Sequence, residues 1–272
     1  MVRLPDKRID NIKLIATDID GTLMNDKKEL PSDFYEVLDE MNNKDIAFVI
    51  SSGRQIESLF LEFSDIKDRV YFIAENGALI SRGTHIFHID AIDPQNAVTL
   101  IQMLRHIPDT SVILCGEHTS FVESTDEDFL NETRIYYKSL KIVDDIINAV
   151  SLEPVCKFAI YNKNGAESTF YPELMNYKES FTINLSGNKW VDVMKSGVSK
   201  GAAIKHLNDS LHISPDNCAA FGDYLNDYEM LLSVTHSFAM ENAHDKLKQI
   251  SRYIAHNNNE EGVTKAIKNY LL

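Results

Sequence analysis

Between residues 13 and 80, short apolar runs alternate with amphipathic stretches, and this alternation restricts the fold more than any other feature of the chain. Lys13-Leu14-Ile15-Ala16-Thr17 is a β-prone run that ends in a polar cluster. Pro31 and Ser32 then open a helix in which Phe34, Val37, Leu38 and Met41 line one apolar face. Residues 46–50 are continuously apolar, as in a strand buried on both faces. A helix over about 55–63 and a further apolar run at 71–74 follow. Three consecutive βα units predict a parallel, doubly wound, Rossmann-like sheet.

The middle of the chain reads differently. Leu79-Ile80 and Ile86-Phe87 flank Ser81-Arg82-Gly83-Thr84, a β-hairpin pattern. From Asp90 to about Ser186 helices (around 94–106 and 127–137) mix with strands (112–115 and 155–160), and aromatic residues are frequent. This predicts a second α/β module inserted into the first. The last part returns to the alternation of the first, with residues 190–194 strand-like, 201–207 helical, and 218–221 a buried strand ending in Gly222-Asp223. Helices are predicted at 227–232 and 263–272. The expected division is a core of residues 1–83 and 188–272 and an insert of residues 84–187.

Composition removes several classes. Acidic residues outnumber basic ones 41 to 27, for a formal charge of -14, which argues against a nucleic-acid partner while leaving room for a local positive pocket. Cys115, Cys156 and Cys218 are odd in number and far apart, so neither a disulfide framework nor a zinc spacing follows, and buried thiols in a reducing compartment are expected. No apolar run reaches the ~18 residues of a membrane span, and residues 1–11 are charged and lack a signal-type apolar core. The expectation is a cytoplasmic enzyme acting on small molecules, monomeric or weakly dimeric, with no membrane partner.

The chemistry concentrates in four places. Asp18-Ile19-Asp20-Gly21-Thr22 follows an apolar strand directly, where open α/β sheets bind ligands. Two carboxylates so close crowd negative charge unless one is protonated or a cation sits between them; Mg²⁺, held by carboxylates and phosphate oxygens, resolves the conflict. An acidic Asx turn with glycine is the competing account. Gly222-Asp223-Tyr224-Leu225-Asn226-Asp227 repeats the pattern after a second apolar strand, although Asn226 or Asp227 could simply cap a helix. Ser51-Ser52-Gly53-Arg54 offers a hydroxyl and backbone N–H groups at a helix start, an anion site. Arg54 could reach a substrate or form a salt bridge within the core. Lys200 opens a helix, where a cation opposes the helix dipole unless it has a task or is solvated.

In this order, Asp-x-Asp-Gly-Thr, Ser-Gly-Arg, Lys-Gly and Gly-Asp-x-x-Asn-Asp resemble the haloacid dehalogenase superfamily of phosphatases. Glu75-Asn76-Gly77-Ala78 and Glu260-Glu261-Gly262-Val263 resemble its Cof-type hydrolases, and the insert lies where those place a C2-type α/β cap. The resemblance implies a phosphoric monoester hydrolase that uses Mg²⁺. It makes Asp18 the nucleophile that becomes an aspartyl phosphate, and Asp20 the general acid that later activates water. It gives phosphoryl binding to Ser52, with Gly53, Arg54 and Asn226 nearby, and makes Lys200 the partner of both Asp18 and the phosphate. Asp18, Asp223 and the Asp20 backbone carbonyl would hold the metal, and Asp227 would hold Lys200 or a metal-bound water. The chain departs from the family's commoner pattern at Ser52, where many relatives have Thr, and at Tyr224-Leu225, where more polar residues are usual. Implied substrates are small phosphate esters, sugar phosphates or phosphorylated cofactors. A phosphomutase, a receiver module and a catalytically silent sugar-phosphate sensor are the alternatives. Asp20 and the size of the insert weigh against the receiver, and the complete motif set weighs against the sensor.

Overall fold

The computed structural model describes residues 2–272; Met1, at the head of the charged N-terminal stretch, lies outside the described residues. Fourteen strands among them form two sheets. In chain order they are β1 (Leu14–Thr17), β2 (Ala47–Ser51), β3 (Tyr71–Ala74), β4 (Leu79–Arg82), β5 (His85–Ile89), β6 (Thr110–Cys115), β7 (Ser120–Val122), β8 (Leu140–Ile142), β9 (Lys157–Asn162), β10 (Phe181–Leu185), β11 (Trp190–Lys195), β12 (Cys218–Gly222), β13 (His236–Met240) and β14 (Tyr253–Ala255).

The larger sheet has the order β14-β13-β12-β1-β2-β3-β4-β5. Every residue of β1 is buried, and β1 pairs in parallel with both β2 and β12, Leu14 lying opposite Ala47 and Cys218. From β1 the chain winds outward through β2 and β3 on one side and returns through β12, β13 and β14 on the other. The boundary between β1 and β12 is therefore the switch point at which doubly wound sheets open a crevice at their strand ends. The helix Phe34–Asn43 buries Phe34, Val37, Leu38 and Met41, the face read from the sequence. β4 and β5 form the expected antiparallel hairpin, with Gly83 at φ 56° in its turn.

The smaller sheet has the order β10-β11-β9-β6-β7-β8, almost wholly antiparallel. One apolar cluster lies on each face. Phe158, Ile160, Val191 and Val193 pack with the helix Pro94–Leu104, while Ile113, Cys115 and Ala159 pack with Phe129 and Leu130 of the helix Glu127–Tyr136.

Both junctions differ from the sequence reading. Residues 190–194, expected in the core, form β11, which pairs with β9 and β10 of the smaller sheet. Residues 85–89, expected in the insert, form β5 on the edge of the larger sheet. Apolar alternation states which residues are buried but not which sheet covers them, and β11 serves both. Val191 and Val193 enter the small-sheet core while Met194 reaches the core of the large one.

The three cysteines are buried and free. No helix among the described residues is long and apolar enough to cross a membrane.

Candidate active site

The loops after β1 and β12 interlock at the switch point. The Asp18 backbone N–H donates to the Phe221 carbonyl at 3.0 Å, and the Thr22 hydroxyl donates to Asp223 Oδ1 at 2.7 Å. Gly21 has φ +78°, and a Cβ there would lie 2.5 Å from Asp223 Oδ2, so the two acidic loops can approach only because this residue is glycine. Asp18, Asp223 and Asp227 thereby bring carboxylate oxygens within 4.8 Å of one another.

Burial pushes the Asp18 carboxyl well above the ordinary carboxylate range; Lys200 opposes this push, while Asp227 and Asp223 reinforce it. The Asp223 carboxyl is pushed up to about 6, again chiefly by burial, against the Thr22 hydrogen bond. A cluster of buried oxygen donors that resists ionisation suits a hard divalent cation, whose charge removes the conflict.

Lys200 supplies the buried positive charge beside this cluster. It begins the helix Lys200–Leu211, whose N-cap Ser199 accepts from the Ala202 N–H at 3.1 Å. Its side chain is wholly buried, and Nζ donates to Asp18 Oδ1 and to Asp227 Oδ1, both at 2.5 Å. Burial disfavours the ammonium, yet the two carboxylates outweigh it and hold the lysine above its usual range. The other oxygen of Asp227 accepts from the backbone N–H groups of Asp223 and Tyr224, at 3.0 and 3.2 Å. Asp227 thus fixes both Lys200 and the Asp223 loop.

On the other side of β1, Ser52 follows β2 and is buried; its hydroxyl accepts from the Arg54 N–H at 3.2 Å. The Arg54 guanidinium grips Asp20 with two hydrogen bonds, Nε to Oδ2 at 2.9 Å and Nη2 to Oδ1 at 2.7 Å, and pairs with Glu62 at 2.5 Å. Lys28 adds a third contact to Asp20 at 2.5 Å. Burial raises the Asp20 carboxyl, but Arg54 and Lys28 together hold it below the ordinary range. Of the carboxylates read from the sequence, Asp18, Asp223 and Asp227 converge, while the Asp20 side chain turns away to Arg54. Arg54, open in the sequence between substrate and salt bridge, is in salt bridges here.

A cleft of about 710 Å³ lies over this floor, between the two sheets. Asp18, Asp20, Ser52, Gly53, Arg54, Asn226 and Asp223 line its base. Its upper wall comes from the smaller sheet and its helices: Tyr136, Tyr171, Thr182, Asn184 and Trp190. The Trp190 indole N–H donates to Glu132 Oε1 at 3.2 Å. The insert seats directly on the core. The Gln55 amide donates to Ser120 Oγ and the Ser139 carbonyl and accepts from the Ser139 N–H, at 3.0, 2.9 and 3.0 Å.

Sequence reading missed a fully buried charge in this seat. Lys157 of β9 donates to the Gly53 carbonyl at 2.8 Å and pairs with Glu75 at 2.6 Å. Asp192 of β11 accepts from Asn76 Nδ2 at 2.7 Å, and Asn76 Oδ1 accepts from Asn226 at 3.3 Å. The available signal was a lone lysine inside the apolar run Val155-Cys156-Lys157-Phe158-Ala159-Ile160.

Comparison with known proteins points to one family. A family model described as haloacid dehalogenase-like hydrolase matches residues 15–267. The chain is 30% identical over 266 residues to the 5-amino-6-(5-phospho-D-ribitylamino)uracil phosphatase YbjI of Escherichia coli, covering 96% of this chain and 97% of that protein. It is 27% identical to the phosphatase of the same name, YcsE, from Bacillus subtilis, covering 96% and 97%. A crystal structure from Eubacterium rectale superposes with a TM-score of 0.87 at 29% identity, over 94% of this chain and 98% of that one.

Proposed function

The chain belongs to the haloacid dehalogenase-like hydrolases and is a phosphatase of the Cof type, and on that premise we propose that it hydrolyses a phosphorylated alditol or sugar carrying a flat heterocycle, through an aspartyl phosphate on Asp18. The observation that carries this reading is the buried Asp18–Lys200–Asp227 chain at the switch point, under a cleft whose far wall is aromatic.

Asp18 is the nucleophile: a carboxylate oxygen attacks phosphorus in line while the ester oxygen leaves with its electron pair. The Lys200 ammonium, already on Asp18, draws the phosphoryl group toward the same oxygen and offsets its charge. The Ser52 hydroxyl and the N–H groups of its loop receive the equatorial oxygens. Asp20 gives its proton to the leaving oxygen, then takes one from the water that cleaves the acyl phosphate and returns Asp18 as a carboxylate. For this Asp20 must leave Arg54 and Lys28 and acquire a proton, which the entry of an anionic substrate favours. Mg²⁺ would be held by Asp18 and Asp223, with the Asp20 main-chain carbonyl as a further oxygen donor, and would supply charge neutralisation of the phosphoryl oxygens.

The insert, which we delimit as residues 90–195, reads the leaving group. Trp190, Tyr136 and Tyr171 suit a flat ring, and Thr182 and Asn184 suit hydroxyls along a polyol. The relatives' substrate, a ribityl phosphate on an aminouracil, has this shape. The buried free thiols support a cytoplasmic setting.

The test is a phosphate-ester panel with Mg²⁺ that includes this compound, hexose phosphates and p-nitrophenyl phosphate. The expected result is release of inorganic phosphate, highest kcat/KM for the ribitylaminouracil ester, and loss of at least ~10⁴-fold in kcat in Asp18→Asn. Equal turnover of all sugar phosphates would overturn the substrate assignment. Phosphate retained on an isomerised product would overturn hydrolysis, and undiminished activity in Asp18→Asn would overturn the nucleophile.

A further inference from the structure

Lys157 comes from the insert but ends inside the core loop that receives phosphate. Its side chain is 2% exposed. Nζ donates to the Gly53 carbonyl at 2.8 Å, pairs with Glu75 Oε2 at 2.6 Å, lies 3.8 Å from Asp192 Oδ2 and sits 5.7 Å above the Tyr137 ring. Burial disfavours the ammonium, but Asp192 and Glu75 hold it well above the usual lysine range, so it is a fixed positive charge.

The Gly53 carbonyl and the Arg54 N–H belong to one peptide group. The group is planar and trans, so its C=O and N–H point in opposite directions. An ammonium that fixes the carbonyl on the insert side therefore aims the N–H to the other side, where it donates to Ser52 Oγ at 3.2 Å. Gly53 leaves no room for a side chain here, because a Cβ would lie 2.7 Å from Asn76 Oδ1, so the loop packs directly against the Asn76 amide.

A strained turn faces Lys157 from the core. Glu75, Asn76 and Gly77 are consecutive left-handed residues, at φ 50°, 57° and 109°. A buried glutamate in that region is strained unless its surroundings require it. The strained turn puts Glu75 on Lys157, and Asn76 on both Asp192 and Asn226. Two strands of the insert thus reach two loops of the cleft floor through one buried polar network.

We propose that Lys157 is a positioning residue for phosphoryl transfer: seated by closure of the insert, it orients the Gly53–Arg54 peptide so that its N–H holds the Ser52 oxygen and leaves the Ser52 hydroxyl free to donate to the phosphoryl group. The phosphate loop is then fully formed only when the insert is closed over a substrate. This rests on the reading of Ser52–Arg54 as the phosphate loop.

The experiment measures inhibition by orthovanadate, which mimics the five-coordinate phosphoryl group and needs no leaving group for the insert to read. Three variants are compared with the wild type: Lys157→Met, the charge-balanced pair Lys157→Met/Glu75→Gln, and Ser52→Ala. The balanced pair is expected to melt near the wild type yet lose roughly 10- to 100-fold in vanadate affinity, with kcat for p-nitrophenyl phosphate falling and KM changing little. Vanadate affinity restored together with stability in the pair would overturn the proposal, since Lys157 would then serve only to neutralise Glu75. Ser52→Ala separates the two levels. If it binds vanadate like the wild type, the phosphate-loop reading fails; if it binds weakly while the balanced pair binds normally, only the role of Lys157 fails.

Discussion

Arg54 holds both carboxylate oxygens of Asp20, at 2.9 and 2.7 Å, so the residue assigned as general acid is held as an anion in this structure. The bond keeps Asp20 below the ordinary carboxylate range against the upward push of burial. Two consequences follow for Arg54→Gln. An acid with a raised pKa stays protonated to higher pH, so the alkaline limb of kcat/KM moves upward. The shift is expected for alkyl phosphates, whose leaving oxygen needs a proton, and not for p-nitrophenyl phosphate. The stability effect has the opposite pH sense: a depressed carboxyl stabilises the fold above its unfolded pKa of ~3.9 and ceases to do so as pH falls. The variant should therefore melt below the wild type at pH 7 and converge with it in acid, which paired melts at the two pH values would show.

Lys200 lies 2.5 Å from each of two buried carboxylates, Asp18 and Asp227, and is their shared counter-charge. Lys200→Met leaves both uncompensated, and the expected loss is about 3–5 kcal/mol in a urea titration. Adding Asp227→Asn removes one of the stranded charges and should recover part of that stability without recovering activity. Full activity in either variant would contradict the place given to Lys200.

Much of this floor was legible from the sequence because its residues are tied to short-range signals. Asp18 and Asp223 each end a continuous apolar strand, and a doubly wound sheet brings such ends together. Thr22 closes the first of these motifs, and its hydroxyl ties that loop to Asp223 of the second. The residues that escaped depend on contacts remote in the chain. Lys157 lies between Cys156 and Phe158 in a run that reads as an ordinary buried strand, and its partners Gly53 and Glu75 reach it only when the two sheets meet. The same limit misplaced β11: valines at 191 and 193 specify burial, while the partner strand, β9, is set by a sheet assembled from distant segments. The Asp20 side chain escaped for a different reason. Its motif position implies a role in the reaction, but Arg54 and Lys28 decide where it points in this structure.

On the proposed metal site, Asp223 would link cation binding to pH. With its carboxyl pushed up to about 6, the metal-free protein binds a proton there that the unfolded chain, with a carboxyl near ~3.9, does not. Stability of the metal-free form should therefore fall as pH rises from about 4 to 6. Mg²⁺ bound there would compete with that proton and remove the like-charge crowding, so its stabilisation would have the reverse trend. The expected melting increment from saturating Mg²⁺ is larger at pH 7.5 than at pH 5, and Asp223→Asn should show little increment at either. An increment independent of pH would place the cation elsewhere.

Trp190 offers the sharpest test of what the insert reads. The indole is braced by Tyr161, with ring centroids 4.9 Å apart, and by the hydrogen bond to Glu132, and the residue lines the cleft wall facing Asp18. A flat heterocycle stacked there would contribute about 1–3 kcal/mol, or roughly 5- to 150-fold in affinity. Trp190→Leu keeps an apolar filler in the small-sheet cluster but removes the stacking face. KM should rise by that factor for an ester carrying a pyrimidine and change little for a hexose phosphate or p-nitrophenyl phosphate. The ratio of the two kcat/KM values is the quantity to compare, because a general loss of folded enzyme lowers both equally and cancels. A ratio unchanged from the wild type would remove Trp190 from substrate recognition and move the reading of the leaving group to the polar residues Thr182 and Asn184 on the same wall.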